Sequence, residues 1–242
     1  MFLRDNILSG RALAFDDVKH RLHGHWGSCP RLILVYSHRN HLITKHDLNM
    51  ICVVGPGHGT PAILASLWIE GSLEKFYPEY DWNYQGLRNL ITRFSVTGGC
   101  NNHINGEAPG SIHEESELGY ALVVSFGAVM DKPDLIGACA VGGGEAETGP
   151  TATYKYIDSR ESGAVRPINH VNGFNITERT VYGCVDDKEL RFVEDLNAID
   201  ADLGKSLEWA LGEIRKTQKA ARSGKPVMKP RWPLLIIRTP KD

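Results

Sequence analysis

Three short strand-like runs each stop at a glycine-rich loop, and this constrains the fold more than anything else in the chain. Met50–Val54 runs into Gly55-Pro56-Gly57, Leu135–Val141 into Gly142-Gly143-Gly144, and Val165–Val171 into Asn172-Gly173. An apolar run without alternation is a strand buried on both faces, as in a parallel sheet covered by helices. The intervening segments supply the helices. Pro61–Ile69 has a proline in its first turn, and Leu118–Met130 is rich in small residues and closed by Asp131-Lys132-Pro133. In Ile199–Arg222, residues Leu203, Leu207, Ala210, Leu211, Ile214 and Gln218 recur at helical spacing, with Gly224 beyond the last turn. Trp232–Ile237 makes a final strand, and Tyr77–Tyr84 reads as an ordered surface loop. The expected fold class is α/β, a mostly parallel sheet with helices on both faces. Its glycine loops at 55–59, 142–144 and 172–173 should converge on one edge of that sheet, where such folds bind ligands.

Composition narrows the function classes. The chain has 27 basic and 29 acidic residues, a net charge of −2, and gives no reason to expect a nucleic-acid or anionic-membrane partner. The basic segment Lys216–Arg231 reads as the solvated end of a helix. Cys29, Cys52, Cys100, Cys139 and Cys184 are odd in number and widely spaced, which argues against a disulfide framework and a structural zinc site. No apolar run approaches membrane-spanning length, and the N-terminus lacks a signal-peptide pattern, so a reduced cytoplasmic protein is expected. With no repeat and no low-complexity tract, a single domain over 1–242 is expected.

The chemistry-bearing residues lie in the loops. Gly55-Pro56-Gly57-His58-Gly59 places an imidazole among glycines, where it can donate to an oxyanion or move protons; a tight turn carrying an incidental histidine is the equal alternative. Gly142-Gly143-Gly144-Glu145-Ala146-Glu147-Thr148-Gly149-Pro150 is a glycine loop leading toward a helix opened by proline, suited to a diphosphate. It matches neither the dinucleotide fingerprint nor the P-loop. His20, His23 and His25 lack carboxylate or thiolate companions at ligand spacing, and read as loop histidines rather than a metal cluster.

Taken in order, five motifs resemble the phosphoketolases: Gly24-His25-Trp26-Gly27-Ser28, Gly55-Pro56-Gly57-His58-Gly59, Pro109-Gly110-Ser111-Ile112-His113-Glu114, Gly144-Glu145-Ala146-Glu147-Thr148-Gly149-Pro150 and His170-Val171-Asn172-Gly173. The likeness extends over nearly the whole chain and is to the family's N-terminal, diphosphate-binding domain, with a transketolase-like fold. It implies an aldehyde-lyase of carbohydrate metabolism, using thiamine diphosphate and Mg²⁺. Such enzymes cleave xylulose 5-phosphate or fructose 6-phosphate with inorganic phosphate to acetyl phosphate and a shortened aldose phosphate. By the same likeness, His25, His58 and His103 line the reaction centre. Gly57, Gly142, Gly144, Glu145 and Asn172 belong to the cofactor site, and Asn172 is a metal ligand. The cofactor carries the carbanion chemistry and the protein supplies orientation and charge.

The chain also departs from that pattern. The family's Gly-Asp-Gly has Gly143 at its centre here, which removes a carboxylate from a site for a hard cation that prefers oxygen ligands. Glu115 and Ser116 stand where the family has glycines. Residues near Thr153–Tyr156 lack about one helical turn of the family pattern, and the step from Leu190 to Arg191 skips the end of a helix and the start of a strand. The pyrimidine-binding and C-terminal domains, with the cofactor-activating glutamate, are expected to be missing after Asp242. These features imply a degenerate copy, inactive by itself, that forms homo-oligomers or associates with a full-length relative; the alternative is a non-catalytic copy acting only through such dimerisation.

Overall fold

The computed structural model describes residues 28–113, 118–148, 162–171, 196–227, 230 and 232–238. The chain forms two compact units, each assembled from separated stretches of sequence: 1–36 with 57–116, and 37–56 with 117–242. Because the stretches interleave, no single cut in the sequence separates them.

The second unit holds the sheet. Strands β1 (Met50–Val54), β2 (Ile136–Gly142), β3 (Ala164–Val171) and β4 (Leu235–Arg238) lie in that order, each parallel to the next. The register sets Val53 beside Cys139, and Cys139 beside Pro167. β2 is buried from Ile136 through Val141, as its unbroken apolar sequence requires. Helix α4 (Tyr120–Val129) covers one face, where Ala121, Leu122, Phe126 and Val129 pack with Val53, Cys139, Val141 and Val165. Successive strand residues point to opposite faces. Arg166 therefore turns away from α4, and it is close enough to Arg39 of helix α1 (Cys29–His46) to feel that charge. Helices thus cover both faces, as the apolar runs predict.

The last described helix, α5 (Leu196–Arg222), buries Leu203, Leu207, Ala210, Leu211 and Ile214, the stripe its spacing predicts. Gln218 is buried with them and donates to the carbonyl of Pro133 at 3.2 Å. Gly224 takes a φ of +74° and the amide of Lys225 returns to the Ala220 carbonyl at 3.1 Å, a glycine stop of the Schellman kind. Glu208 clamps α5 to the end of α1, accepting from Lys45 at 2.6 Å and from His46 at 2.9 Å. The hydrogen bond from Lys45 is the main reason its carboxyl lies below the usual range.

The first unit is helical among its described residues. Helix α2 (Thr60–Ile69) begins with proline in its first turn and buries Thr60 through Leu64 and Leu67. Two short 3₁₀ turns, Leu73–Lys75 and Pro78–Tyr80, lead to α3 (Tyr84–Thr92). The side chain of Asn83 accepts from the Gly86 amide and caps α3. Neither α1 nor α3 is expected from the sequence, and the loop expected over Tyr77–Tyr84 contains one of the turns. None of the described helices is long and apolar enough to cross a membrane.

Candidate functional site

The parallel strands put the exits of β1, β2 and β3 on one edge, as expected for the loops beginning at Gly55 and Gly142. Gly55 donates to the Ala140 carbonyl at 2.8 Å, keeping the exit of β1 against β2. Glu145 is folded into this edge with 2% of its surface exposed. It accepts from the amide of Gly142 at 2.9 Å and from that of Gly119 at 3.3 Å, at the N-cap of α4. Burial pushes its carboxyl above the ordinary range, while the amides of Gly142, Gly119 and Ala121 pull the other way. A Cβ on Gly55 would lie 2.1 Å from Glu145 Oε2, so glycine is what lets this carboxylate reach the backbone.

Glu145 is thus a cross-link between the β1 exit, the β2 exit and the start of α4. Gly143 is buried, Gly144 is half-buried in an ordinary right-handed conformation, and no glycine from 142 to 144 needs a positive φ. The residues after Gly144 form a 3₁₀ turn, Glu145–Glu147. Asn172 and the helix expected from Pro150 lie outside the described residues, as do the steps expected near Tyr154 and Leu190. No group of three His, Cys, Asp or Glu side chains able to hold a metal occurs among the described residues.

The histidines belong to the first unit. His58 sits in the 3₁₀ turn Gly57–Gly59, which runs into α2. The Gly57 carbonyl accepts from Thr60 Oγ1 at 2.6 Å and from the Ile104 amide at 3.0 Å, tying the turn to the loop that carries His103. The two imidazoles meet edge to face with centroids 6.3 Å apart. Ser28, buried at the start of α1, contacts His58 Nε2 at 3.1 Å, and Asn102 Oδ1 contacts His103 Nδ1 at 3.1 Å. His58 and His103 are therefore brought together, whereas His25 lies outside the described residues. Ser28 stands in a motif that the sequence singles out, but nothing in the sequence marks its hydroxyl as a partner of a histidine thirty positions away.

A cavity of about 220 Å³ adjoins His103, bounded by Tyr77, Glu79, Cys100, Asn101 and Glu107. Burial pushes the Cys100 thiol up, and Glu107 and Glu79 act in the same direction against the opposing pull of Tyr80 and Arg93. A neutral thiol among carboxylates gives an anion little to bind. His113, from the third motif, is buried and finds no partner for Nε2 among the described residues; burial depresses its basicity.

Residues 1–242 match the XFP N-terminal domain family. The chain is 51% identical over 256 residues to a protein named probable phosphoketolase from Schizosaccharomyces pombe, covering 100% of this chain and 31% of that one. A probable phosphoketolase from Rhodopirellula baltica is 45% identical over 258 residues, with 100% and 32% covered. This chain belongs to the phosphoketolase family. It spans about a third of the length of these curated relatives. The match to the fission-yeast phosphoketolase runs over 256 residues against 242 here, so that relative contains residues with no counterpart in this chain. A transketolase from Leishmania mexicana superposes with a TM-score of 0.48 and 13% identity over 87% of this chain and 35% of that one, a likeness too slight to carry an argument.

Proposed function

We infer that this chain is a phosphoketolase-type module whose diphosphate loop has lost its metal ligand, and that it does not cleave sugar phosphates by itself. The carrying observation is the state of the loop after β2. Gly143 offers no side chain where the family pattern has a carboxylate, and Glu145, the nearest acid, is committed to backbone amides inside the protein. The described donor set therefore does not fit Mg²⁺, which takes an octahedron of oxygen ligands. Thiamine diphosphate is the cofactor that family membership suggests. When bound it supplies the carbanion chemistry, and in this reading His58 and His103 are the proton-handling groups of the reaction centre. Xylulose 5-phosphate or fructose 6-phosphate, together with inorganic phosphate, are the substrates of this reading, and the cytoplasm is its location. Incubating the purified 242-residue chain with xylulose 5-phosphate, phosphate, thiamine diphosphate and Mg²⁺ is expected to yield no acetyl phosphate. Turnover above the buffer control, in a preparation free of host phosphoketolase, overturns this.

A second reading, association with a longer relative or with itself, is favoured by the surface of the first unit. Ile69, Phe76, Trp82 and Tyr84 are each 62–75% exposed, and Trp82 rests against Trp68 with ring centroids 6.3 Å apart. Large aromatic residues gathered on one surface segment are a mark of an interface. Light scattering is expected to show self-association at high concentration, weakened when Phe76 and Trp82 are both changed to serine. A monomer unaffected by that change counts against association.

A further inference from the structure

We propose that Ser28 is a positioning residue that fixes the tautomer of His58, making this imidazole a hydrogen-bond donor and leaving His103 as the base of the pair. The proposal rests on the reading above that the two histidines lie at a reaction centre, but its geometry and its test do not require a cofactor. Ser28 is 7% exposed, and its hydroxyl has His58 Nε2, at 3.1 Å, as its hydrogen-bond partner among the described residues. A buried hydroxyl must place its proton on an acceptor. Donation to Nε2 requires the lone pair there, so the ring proton of neutral His58 resides on Nδ1. A ring held this way has its hydrogen on Nδ1 and its Nε2 lone pair engaged by Ser28, so neither nitrogen offers a free lone pair.

His103 is held at its opposite nitrogen. Asn102 Oδ1 lies 3.1 Å from Nδ1, and an amide oxygen can only accept, so Nδ1 carries the hydrogen and Nε2 keeps the lone pair. With the rings edge to face at 6.3 Å, the pair presents one donor and one acceptor rather than two equivalent groups. Thr60 and Ile104 hold the Gly57 carbonyl beside the turn, so the ring is set by a fixed backbone as well as by Ser28.

The test is long-range ¹H–¹⁵N correlation on histidine-labelled protein at about pH 8, where an ordinary imidazole is neutral. Wild type is expected to show His58 protonated at Nδ1. Ser28→Ala is expected to shift the tautomer ratio roughly fivefold towards Nε2–H, the size of one net hydrogen bond. Ser28→Thr keeps the hydroxyl and is expected to keep the wild-type ratio. His58 protonated at Nε2 in wild type, or an unchanged ratio in Ser28→Ala, overturns the proposal. Should Ser28→Ala fail to fold, the wild-type and Ser28→Thr spectra decide, since Nε2–H dominance in either contradicts it. A negative result here leaves the family reading untouched, and failure of thiamine diphosphate to bind leaves this result untouched.

Discussion

Gly55→Ala is expected to lower stability by about 3 kcal/mol, at the upper end of what overpacking costs, and to lower the thermal midpoint by roughly 6–12 °C for a chain of this size. The added Cβ meets two groups, the Glu145 carboxylate and the Ala140 carbonyl. It falls 2.1 Å from Glu145 Oε2 and 2.7 Å from the carbonyl oxygen of Ala140. The first could retreat by turning the glutamate away, but that would strip acceptors from the amides of Gly142 and Gly119. The second cannot retreat, because Ala140 lies within β2, and that carbonyl already accepts from Gly55. Glu145→Ala alone is also destabilising, since it strips this acceptor from the buried Gly119 amide and the half-buried Gly142 amide. The double variant is expected to lose less than the sum, because removing the carboxylate relieves one of the two collisions. Thermal unfolding of the two single variants and the double variant measures this coupling. Strict additivity would show that Gly55 and Glu145 do not share one site.

Arg166→Met is expected to act in the opposite direction and stabilise the protein by about 1–4 kcal/mol. Arg166 is fully buried on β3, and its Nε and Nη1 have no hydrogen-bond partner among the described residues. Its contact with Met50 Sδ, at 3.9 Å from Nη2, is weak. Burial, and then the charge of Arg39, pushes its pKa down to about 10. A base with a depressed folded pKa prefers its neutral form in the native state. Its charge therefore costs stability at every pH below that value, and the cost is relieved only as pH rises past about 10. Methionine keeps much of the volume without the charge. Urea unfolding at neutral pH is the measurement. A loss of stability on substitution would mean that the guanidinium has an anionic partner after all.

The sheet was legible because each strand is a short, mostly apolar run ending at a loop signal, and because α4 and α5 carry dense apolar spacing. α1 was hidden for the opposite reason. Arg31 and Arg39 are buried on it alongside Leu32, Val35 and Leu42, so the residues that mark its inner face read in sequence as solvated. α3 announces itself only through the Asn83 cap, a signal that needs its amide partner to be recognised. The two interleaved units left no composition shift to find. In the site, the glycine and histidine motifs mark the loop after β2 and the turn before α2, but not what those segments do. Nothing local says that Glu145 turns inward, because its partners Gly55 and Gly119 are far away in sequence. The contact of Ser28 with His58 is hidden in the same way.

The central claim is that the loop after β2 lacks the ligand a metal–diphosphate complex needs, and calorimetric titration with thiamine diphosphate and Mg²⁺ tests it most directly. The unmodified chain is expected to release no heat beyond dilution. Gly143→Asp is compatible with the backbone there, which has no positive φ, and restores one charged ligand. It is expected to raise affinity about ten- to a hundredfold, the equivalent of roughly 1.5–3 kcal/mol, and to lose that gain when Mg²⁺ is chelated. Tight Mg²⁺-dependent binding by the unmodified chain, or a folded Gly143→Asp variant that still binds nothing, contradicts the claim.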